Sequence, residues 1–310
     1  MKKFAFVFPG QGSQSIGMLN GFADNVVVRH TIAEASEALH YDLAMLIREG
    51  PKEDLDLTTN TQPIMLAAAV AFYRAWIDAG GAIPSLVAGH SLGEYSALVV
   101  SGVIPFQDAV RLVCFRAQAM QEAVPVGQGG MAAILGLSDD IVLEICAASA
   151  QGEVVEAVNF NAPAQVVIAG HKNAIVRACD AAKARGAKRA LMLSVSAPFH
   201  SSLLKPASDS LRDFMADMVF SAPQIPVINN VDVVIENDPL RIKDALVRQA
   251  ANPVRWVETI QRVTMEGVTH VIECGPGKVL TGLTKRINAD LVGDALFDQA
   301  SLDKILELMK

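Results

Sequence analysis

Gly89-His90-Ser91-Leu92-Gly93 sets a serine between two glycines, with a short apolar run, Ser85 to Ala88, before it and a helical pattern, Glu94 to Val100, after it. Strand, tight turn and helix in that order is the nucleophile-elbow pattern, and it commits this part of the chain to an α/β architecture. The glycines have a steric job. The turn lifts the serine oxygen above the strand end, and a side chain at either flanking position would crowd the strand or helix packed beside it. The helix that follows aims its free N–H groups and positive dipole end at the same place. Ser91 is therefore a candidate nucleophile.

The rest of the chain extends this frame. Phe4 to Phe8 reads as a buried strand that Pro9 and Gly10 end in a loop. Helical spacing runs from about Asp24 to Leu39, from Gln62 to Ala79, and from Phe106 to Gln121. Between Gly127 and Val195 the pattern changes. After the flexible Gly127-Gln128-Gly129-Gly130 come a strand (Met131 to Leu135), a helix (Ser138 to Ser149), two strands (Val154 to Asn159, Gln165 to Ala169), a helix (Asn173 to Arg185) and a strand (Arg189 to Leu193). That βαββαβ order is the ferredoxin-like unit. It predicts an inserted small domain at residues 127–196, flanked by residues 1–126 and 197–310 of one large domain. Strands at Val227 to Asn229 and His270 to Glu273 are expected to rejoin the first sheet.

Composition removes several function classes. With 51% hydrophobic and 19% charged residues, no segment has the bias of a disordered region. The N-terminal apolar run is too short for a signal peptide, and no stretch reaches about 18 uninterrupted apolar residues. A cytoplasmic protein with no membrane partner is expected. The formal charge of -7 argues against a nucleic-acid partner, which would call for a basic face. Cys114, Cys146, Cys179 and Cys274 have no paired spacing for a metal site or redox dithiol, and read as buried free thiols.

A serine hydroxyl is a weak nucleophile at neutral pH and needs a base, most often histidine. Of six histidines, His30, His40 and His171 have no partner signal, and His270 begins an apolar strand. His90 adjoins Ser91, where neighbours across a tight turn tend to point apart, so a lining or structural role fits it better. His200 stands in the loop Ser196-Ala197-Pro198-Phe199-His200-Ser201 and could reach another strand end. These residues alone leave the base open. Two glycine clusters look like nucleotide sites and fail. Gly275-Pro276-Gly277-Lys278 has Ile272 and Val279 where a P-loop requires Gly and Ser or Thr, and Gly10-Gln11-Gly12 lacks the third glycine of a dinucleotide fingerprint. No cofactor is expected.

Six ordered blocks carry a resemblance: Phe8-Pro9-Gly10-Gln11-Gly12-Ser13-Gln14, Gly89-His90-Ser91-Leu92-Gly93-Glu94, Arg116, Pro198-Phe199-His200-Ser201, Asn229-Asn230 and Gly275-Pro276-Gly277. Together they resemble the malonyl-CoA:acyl carrier protein transacylases over essentially the whole chain. The resemblance implies a large α/β-hydrolase-like domain with a parallel sheet core, carrying the small ferredoxin-like α+β insert. It implies Ser91 as nucleophile and His200 as its base, with the imidazole oriented by the main-chain carbonyl of Gln249 instead of a carboxylate. It further implies that the N–H groups of Gln11 and Leu92 form the oxyanion hole.

For the substrate, the resemblance points to Arg116, Gln11, Phe199 and His90. Malonyl has a free carboxylate that acetyl lacks, and a guanidinium can grip it with two parallel hydrogen bonds. Without the resemblance Arg116 would read as a solvated helix residue. Phe199 resembles the bulky residue that narrows the pocket. The implied reaction is ping-pong: malonyl-CoA, a thioester substrate and not a resident cofactor, acylates Ser91, and the phosphopantetheine thiol of acyl carrier protein accepts the group. Fatty acid biosynthesis is the expected setting and a monomer the expected state. An acidic carrier protein calls for a basic surface, for which Lys183, Arg185, Lys188, Arg189, Lys285 and Arg286 are candidates. A serine hydrolase, and a non-catalytic carrier-binding module, are the competing readings.

Overall fold

The computed structural model describes residues 2–195 and 197–310. Nine strands form two sheets: β1 (Phe4–Phe8), β2 (Leu86–Gly89), β3 (Gly129–Leu135), β4 (Val155–Ala162), β5 (Gln165–His171), β6 (Arg189–Met192), β7 (Val227–Ile228), β8 (His270–Cys274) and β9 (Val292–Leu296). The helices are α1 (Val26–Leu39), α2 (Leu43–Glu49), α3 (Lys52–Leu55), α4 (Thr58–Asp78), α5 (Gly93–Val100), α6 (Phe106–Glu122), α7 (Asp139–Ala150), α8 (Lys172–Ala184), α9 (Lys205–Met215), α10 (Pro239–Gln249), α11 (Trp256–Met265), α12 (Val279–Ile287) and α13 (Gln299–Met309).

The first sheet is parallel throughout, in the order β7-β2-β1-β8-β9. Its centre is β1, and all five of its residues are buried because the sheet is covered on both faces. Side-chain alternation divides them. Phe4, Phe6 and Phe8 enter the core shared with α4, where the Phe6 ring meets Trp76 edge-on at 5.5 Å. Ala5 and Val7 face the opposite core, with Trp256, Ile260, Leu280 and Leu283 of α11 and α12. The chain leaves β1 first to one side, through β2, and later returns on the other, through β8. That switch of direction opens a crevice at the carboxyl ends of the strands, where open α/β sheets place their ligands.

The second sheet is antiparallel, in the order β4-β5-β3-β6. With α7 and α8 packed on one face it is the ferredoxin-like arrangement that the element order predicts. Its four strands fall between residues 129 and 192. Ser196, on which the expected insert ends, lies outside the described residues. The other face of this sheet joins the main core through Met131, Val158, Val167 and Ala169. Main-chain bonds tie β4 to the segment before α11 as well: Phe160 N donates to Val254 O at 3.0 Å, and Val254 N donates to Val158 O at 2.8 Å.

Two expectations need correction. Helix α4 begins at Thr58 and not at Gln62, and it carries Pro63 inside it. Its first turn is poor in helix formers, and a tertiary contact holds it: Thr61 Oγ1 donates to the Leu55 carbonyl at 2.6 Å. Of the four free thiols, Cys146, Cys179 and Cys274 are buried, whereas Cys114 is only half-buried. Among the described residues no helix is long and apolar enough to cross a membrane.

Candidate active site

Register brings the first two motifs together. Phe8 pairs with Gly89 where β1 and β2 lie side by side, so Pro9-Gly10-Gln11 and His90-Ser91 leave the sheet as neighbours. Ser91 occupies the left-handed region at φ 53°, a conformation uncommon for a non-glycine residue and expected of a nucleophile elbow. The flanking glycines are obligatory. A Cβ on Gly89 would lie 1.9 Å from the Gly93 carbonyl carbon, and one on Gly93 would lie 2.0 Å from the Phe8 oxygen. Asn230, just beyond β7, braces the turn from behind: its Oδ1 accepts the Ser91 N–H at 2.7 Å, and its Nδ2 donates to the Gly89 carbonyl at 2.7 Å.

His200 reaches across from its loop, itself at φ 65°, to set Nε2 2.7 Å from Ser91 Oγ. Its Nδ1 lies 2.8 Å from the main-chain oxygen of Gln249. A carbonyl can only accept, so Nδ1 carries the proton and Nε2 presents a lone pair to the serine. Gln249 is the last residue of α10, where carbonyls lack intrahelical partners and the dipole is negative. A helix end thus does part of the work of a triad carboxylate. Burial, and then the Arg116 charge, push His200 down to about 3, so the ring is neutral at ordinary pH.

Arg116 is buried at 2% exposure beneath this pair. Its guanidinium stacks near the Tyr95 ring, 5.3 Å from the centroid. One terminal nitrogen donates to Gln62 Oε1 at 2.8 Å; the other donates to Gln249 Oε1 at 3.0 Å and to Ser91 Oγ at 3.2 Å. Each of these nitrogens carries two hydrogens. Nε has no acceptor, and with it one hydrogen on the first nitrogen and the one now shared with Ser91 are the donors left on the guanidinium.

Ser91, His200, Arg116 and Gln62 line a cavity of about 220 Å³ between the two sheets. Gln11, Leu92, His90 and Phe199 are all on its wall. Among the described residues, neither the Gln11 nor the Leu92 main-chain N–H is taken up by a main-chain or side-chain acceptor. Leu92 is the N-cap of α5, so its amide belongs to a helix N-terminus. The Gln11 side chain donates to Thr58 Oγ1 at 3.1 Å. The His90 ring turns away from Ser91 to Asn161 Oδ1 at 2.7 Å and packs edge-on against Trp256 at 5.4 Å. Burial lowers its pKa.

Sequence reasoning missed Gln62, Asn161 and the role of Asn230. Gln62 is a polar residue at the head of an apolar helical run, which is the signal that could have marked it, and the structure buries it. Of the basic candidates, Lys183 pairs with Asp180 and Arg185 with Glu144 at the surface. Arg286 ties α12 to the second sheet, donating to Gln165 Oε1 and to the Pro163 carbonyl. Lys188, Arg189 and Lys285 are exposed.

The chain is similar to known proteins over nearly its whole length. The acyl transferase domain family matches residues 5–289. The malonyl CoA-acyl carrier protein transacylase of Salmonella typhimurium strain LT2 is 57% identical over 307 residues, covering 99% of each chain. The crystal structure of an acyl-carrier-protein S-malonyltransferase from Burkholderia pseudomallei 1710b is 68% identical, with a TM-score of 0.97 over 98% of this chain and 99% of that one. A type II PKS acyl-carrier protein in complex with its malonyl-transacylase contains a chain 55% identical, with a TM-score of 0.98 over 99% of this chain and 100% of that one.

Proposed function

The chain belongs to the acyl transferase family as a malonyl-CoA:acyl carrier protein transacylase, and from that premise we propose that it moves malonyl by way of Ser91. Malonyl-CoA enters with its carboxylate toward Arg116 and its thioester carbonyl over Ser91. His200 Nε2 takes the hydroxyl proton as Oγ attacks, and the Gln11 and Leu92 N–H groups receive the developing oxyanion. The C–S bond breaks, the proton passes to the coenzyme A thiolate, and malonyl-serine remains. The phosphopantetheine thiol of acyl carrier protein then repeats the steps in reverse, with His200 now taking the thiol proton.

The observation that carries this reading is Arg116 within 3.2 Å of the nucleophile in a cavity shared with His200. A hydrolase elbow has no need of a buried cation beside its serine. A guanidinium there favours an acyl chain ending in a carboxylate, and it holds that chain while water competes for the carbonyl. No resident cofactor enters these steps. His90 and Phe199 are assigned to the wall around the acyl group and the thioester. The carrier protein meets the exposed basic residues Lys188, Arg189 and Lys285, supplying malonyl for fatty acid biosynthesis in the cytoplasm, with a monomeric enzyme as the working unit.

Intact-protein mass spectrometry after mixing with malonyl-CoA, and separately with acetyl-CoA, tests the proposal. A stable malonyl adduct on the Ser91 peptide is expected; rapid release of free malonate with no acceptor present would favour hydrolysis. Arg116→Ala is expected to lose malonyl transfer while gaining acetyl transfer relative to wild type. Equal loss of both would remove the carboxylate grip.

A further inference from the structure

Among the described residues, Glu94 and Glu273 are the only acids in the buried class, and Glu94 lies directly behind the elbow. It opens the first turn of α5, yet its side chain bonds far from its own helix. One oxygen, Oε2, accepts two hydrogen bonds: from the main-chain N–H of Asn230 at 3.0 Å and from Gln249 Nε2 at 2.8 Å. Those two residues hold the elbow, His200 and Arg116. Asn230 grips the elbow at the Ser91 N–H and the Gly89 carbonyl. Gln249 supplies the carbonyl that orients His200, donates from Nε2 to the Ser91 carbonyl at 2.9 Å, and offers Oε1 to Arg116.

The Gln249 amide has two orientations, and they are not equivalent. With the nitrogen toward Glu94 and the Ser91 carbonyl, both acceptors are satisfied and the oxygen faces the guanidinium. Turned over, the amide would set a nitrogen donor against the donors of Arg116 and an oxygen against two acceptors. Each mismatch in a buried site forfeits the full cost of an unmade hydrogen bond. The carboxylate therefore acts with the Ser91 carbonyl and the Arg116 donors to select the first orientation. A continuous chain results: Arg116 N–H to Gln249 Oε1, through the amide, and Gln249 N–H to Glu94 Oε2.

Resting on the transacylase reading above, we propose that Glu94 is a positioning residue that sets malonyl selectivity by fixing the Gln249 amide and, through it, the direction of the Arg116 fork. Burial raises its carboxyl to about 7, opposed by the bonds from Gln249 and Asn230 and by the Arg116 charge. An acceptor oxygen at this place suffices, because both donors end on a single atom.

The test is a double-mutant cycle between Glu94→Ala and Arg116→Ala, read as single-turnover acylation of Ser91 by malonyl-CoA and by acetyl-CoA. A misdirected fork is expected to lower malonyl acylation in Glu94→Ala by about 10²-fold, with KM raised, while acetyl acylation falls much less. In the Arg116→Ala background the same substitution is expected to leave the malonyl-to-acetyl ratio unchanged, since the group it acts through is gone. Glu94→Gln, which keeps an acceptor oxygen, is expected to restore most of the wild-type ratio.

A Glu94→Ala variant that loses both acyl groups equally, or whose effect simply adds to that of Arg116→Ala, would reduce Glu94 to a structural brace and overturn the proposal. A Glu94→Gln variant as unselective as Glu94→Ala would also overturn it. If Glu94→Ala does not fold, Glu94→Met, which keeps the side-chain volume but offers no acceptor oxygen, reads the same coupling: the ratio should collapse toward acetyl, and an unchanged ratio would refute the idea. Failure of the transacylase reading itself would show separately, as wild-type enzyme that takes no malonyl group.

Discussion

A histidine can act as a base only while it is neutral, and His200 is kept so by being buried next to an arginine. This has a consequence for stability. Its pKa is about 3 in the folded protein against an ordinary 6.5. Above pH 6.5 the ring is neutral in both states, and as pH falls from 6.5 toward 3 the unfolded chain takes up a proton that the native state refuses. Stability is therefore lost with falling pH. Glu94 works in the opposite sense between its ordinary 4.5 and about 7, so the contribution of His200 has to be read as a difference between proteins that share Glu94. Urea unfolding of wild type and His200→Gln is expected to show the wild type losing ground to the variant between about pH 7.5 and about pH 5.5. A difference independent of pH would mean that the native ring titrates as it does in the unfolded chain, and one of opposite sign that it is held charged. At this scale legibility was uneven. Ser91 announces itself because the elbow is local, whereas the orienting group of His200 is a main-chain carbonyl, which any residue carries. Gln249 was accessible only through the resemblance, and its side-chain work was invisible.

At the scale of elements, the elbow shows how little space a motif leaves. Gly89→Ala would press a methyl group into the backbone of Gly93, and the strand and helix would have to separate to admit it. Overpacking of this kind is expected to cost about 3 kcal/mol or more. Gly282, in the middle of α12, is the opposite case: a Cβ there meets nothing within 4 Å. Gly282→Ala is expected to stabilise by about 0.5–1 kcal/mol through the unfolded chain and helix propensity. Chemical denaturation of the two variants checks both signs, and a neutral Gly89→Ala would mean that the turn is softer than its contacts imply. Elements with a strong period were readable, among them β1, β2, α5 and α6. Strand β9 was not, because Val292-Gly293-Asp294-Ala295-Leu296 is poor in strand formers. It exists by pairing with β8 along all five residues.

For the whole molecule, the question is whether the two sheets behave as one. Residues of the second sheet enter the main core, two main-chain bonds run from β4 to Val254, and the Glu156 carboxylate accepts from Ser202 N at 2.7 Å and Ser202 Oγ at 2.8 Å. A single cooperative unfolding transition is expected. Both tryptophans, Trp76 and Trp256, pack on the first sheet, so their fluorescence follows that part while far-UV circular dichroism follows the whole. Coincident curves are expected; a dichroism step without a fluorescence step would show the second sheet melting alone. The sequence by itself determined the serine turn, the strand–helix grammar and the ferredoxin-like order, since each rests on neighbours in the chain. Tertiary structure alone decided what surrounds the Ser91 hydroxyl. His200, Arg116, Gln249 and Asn230 come from four distant segments, and hydrogen-bond distance is a property of how those segments pack, which no local pattern encodes.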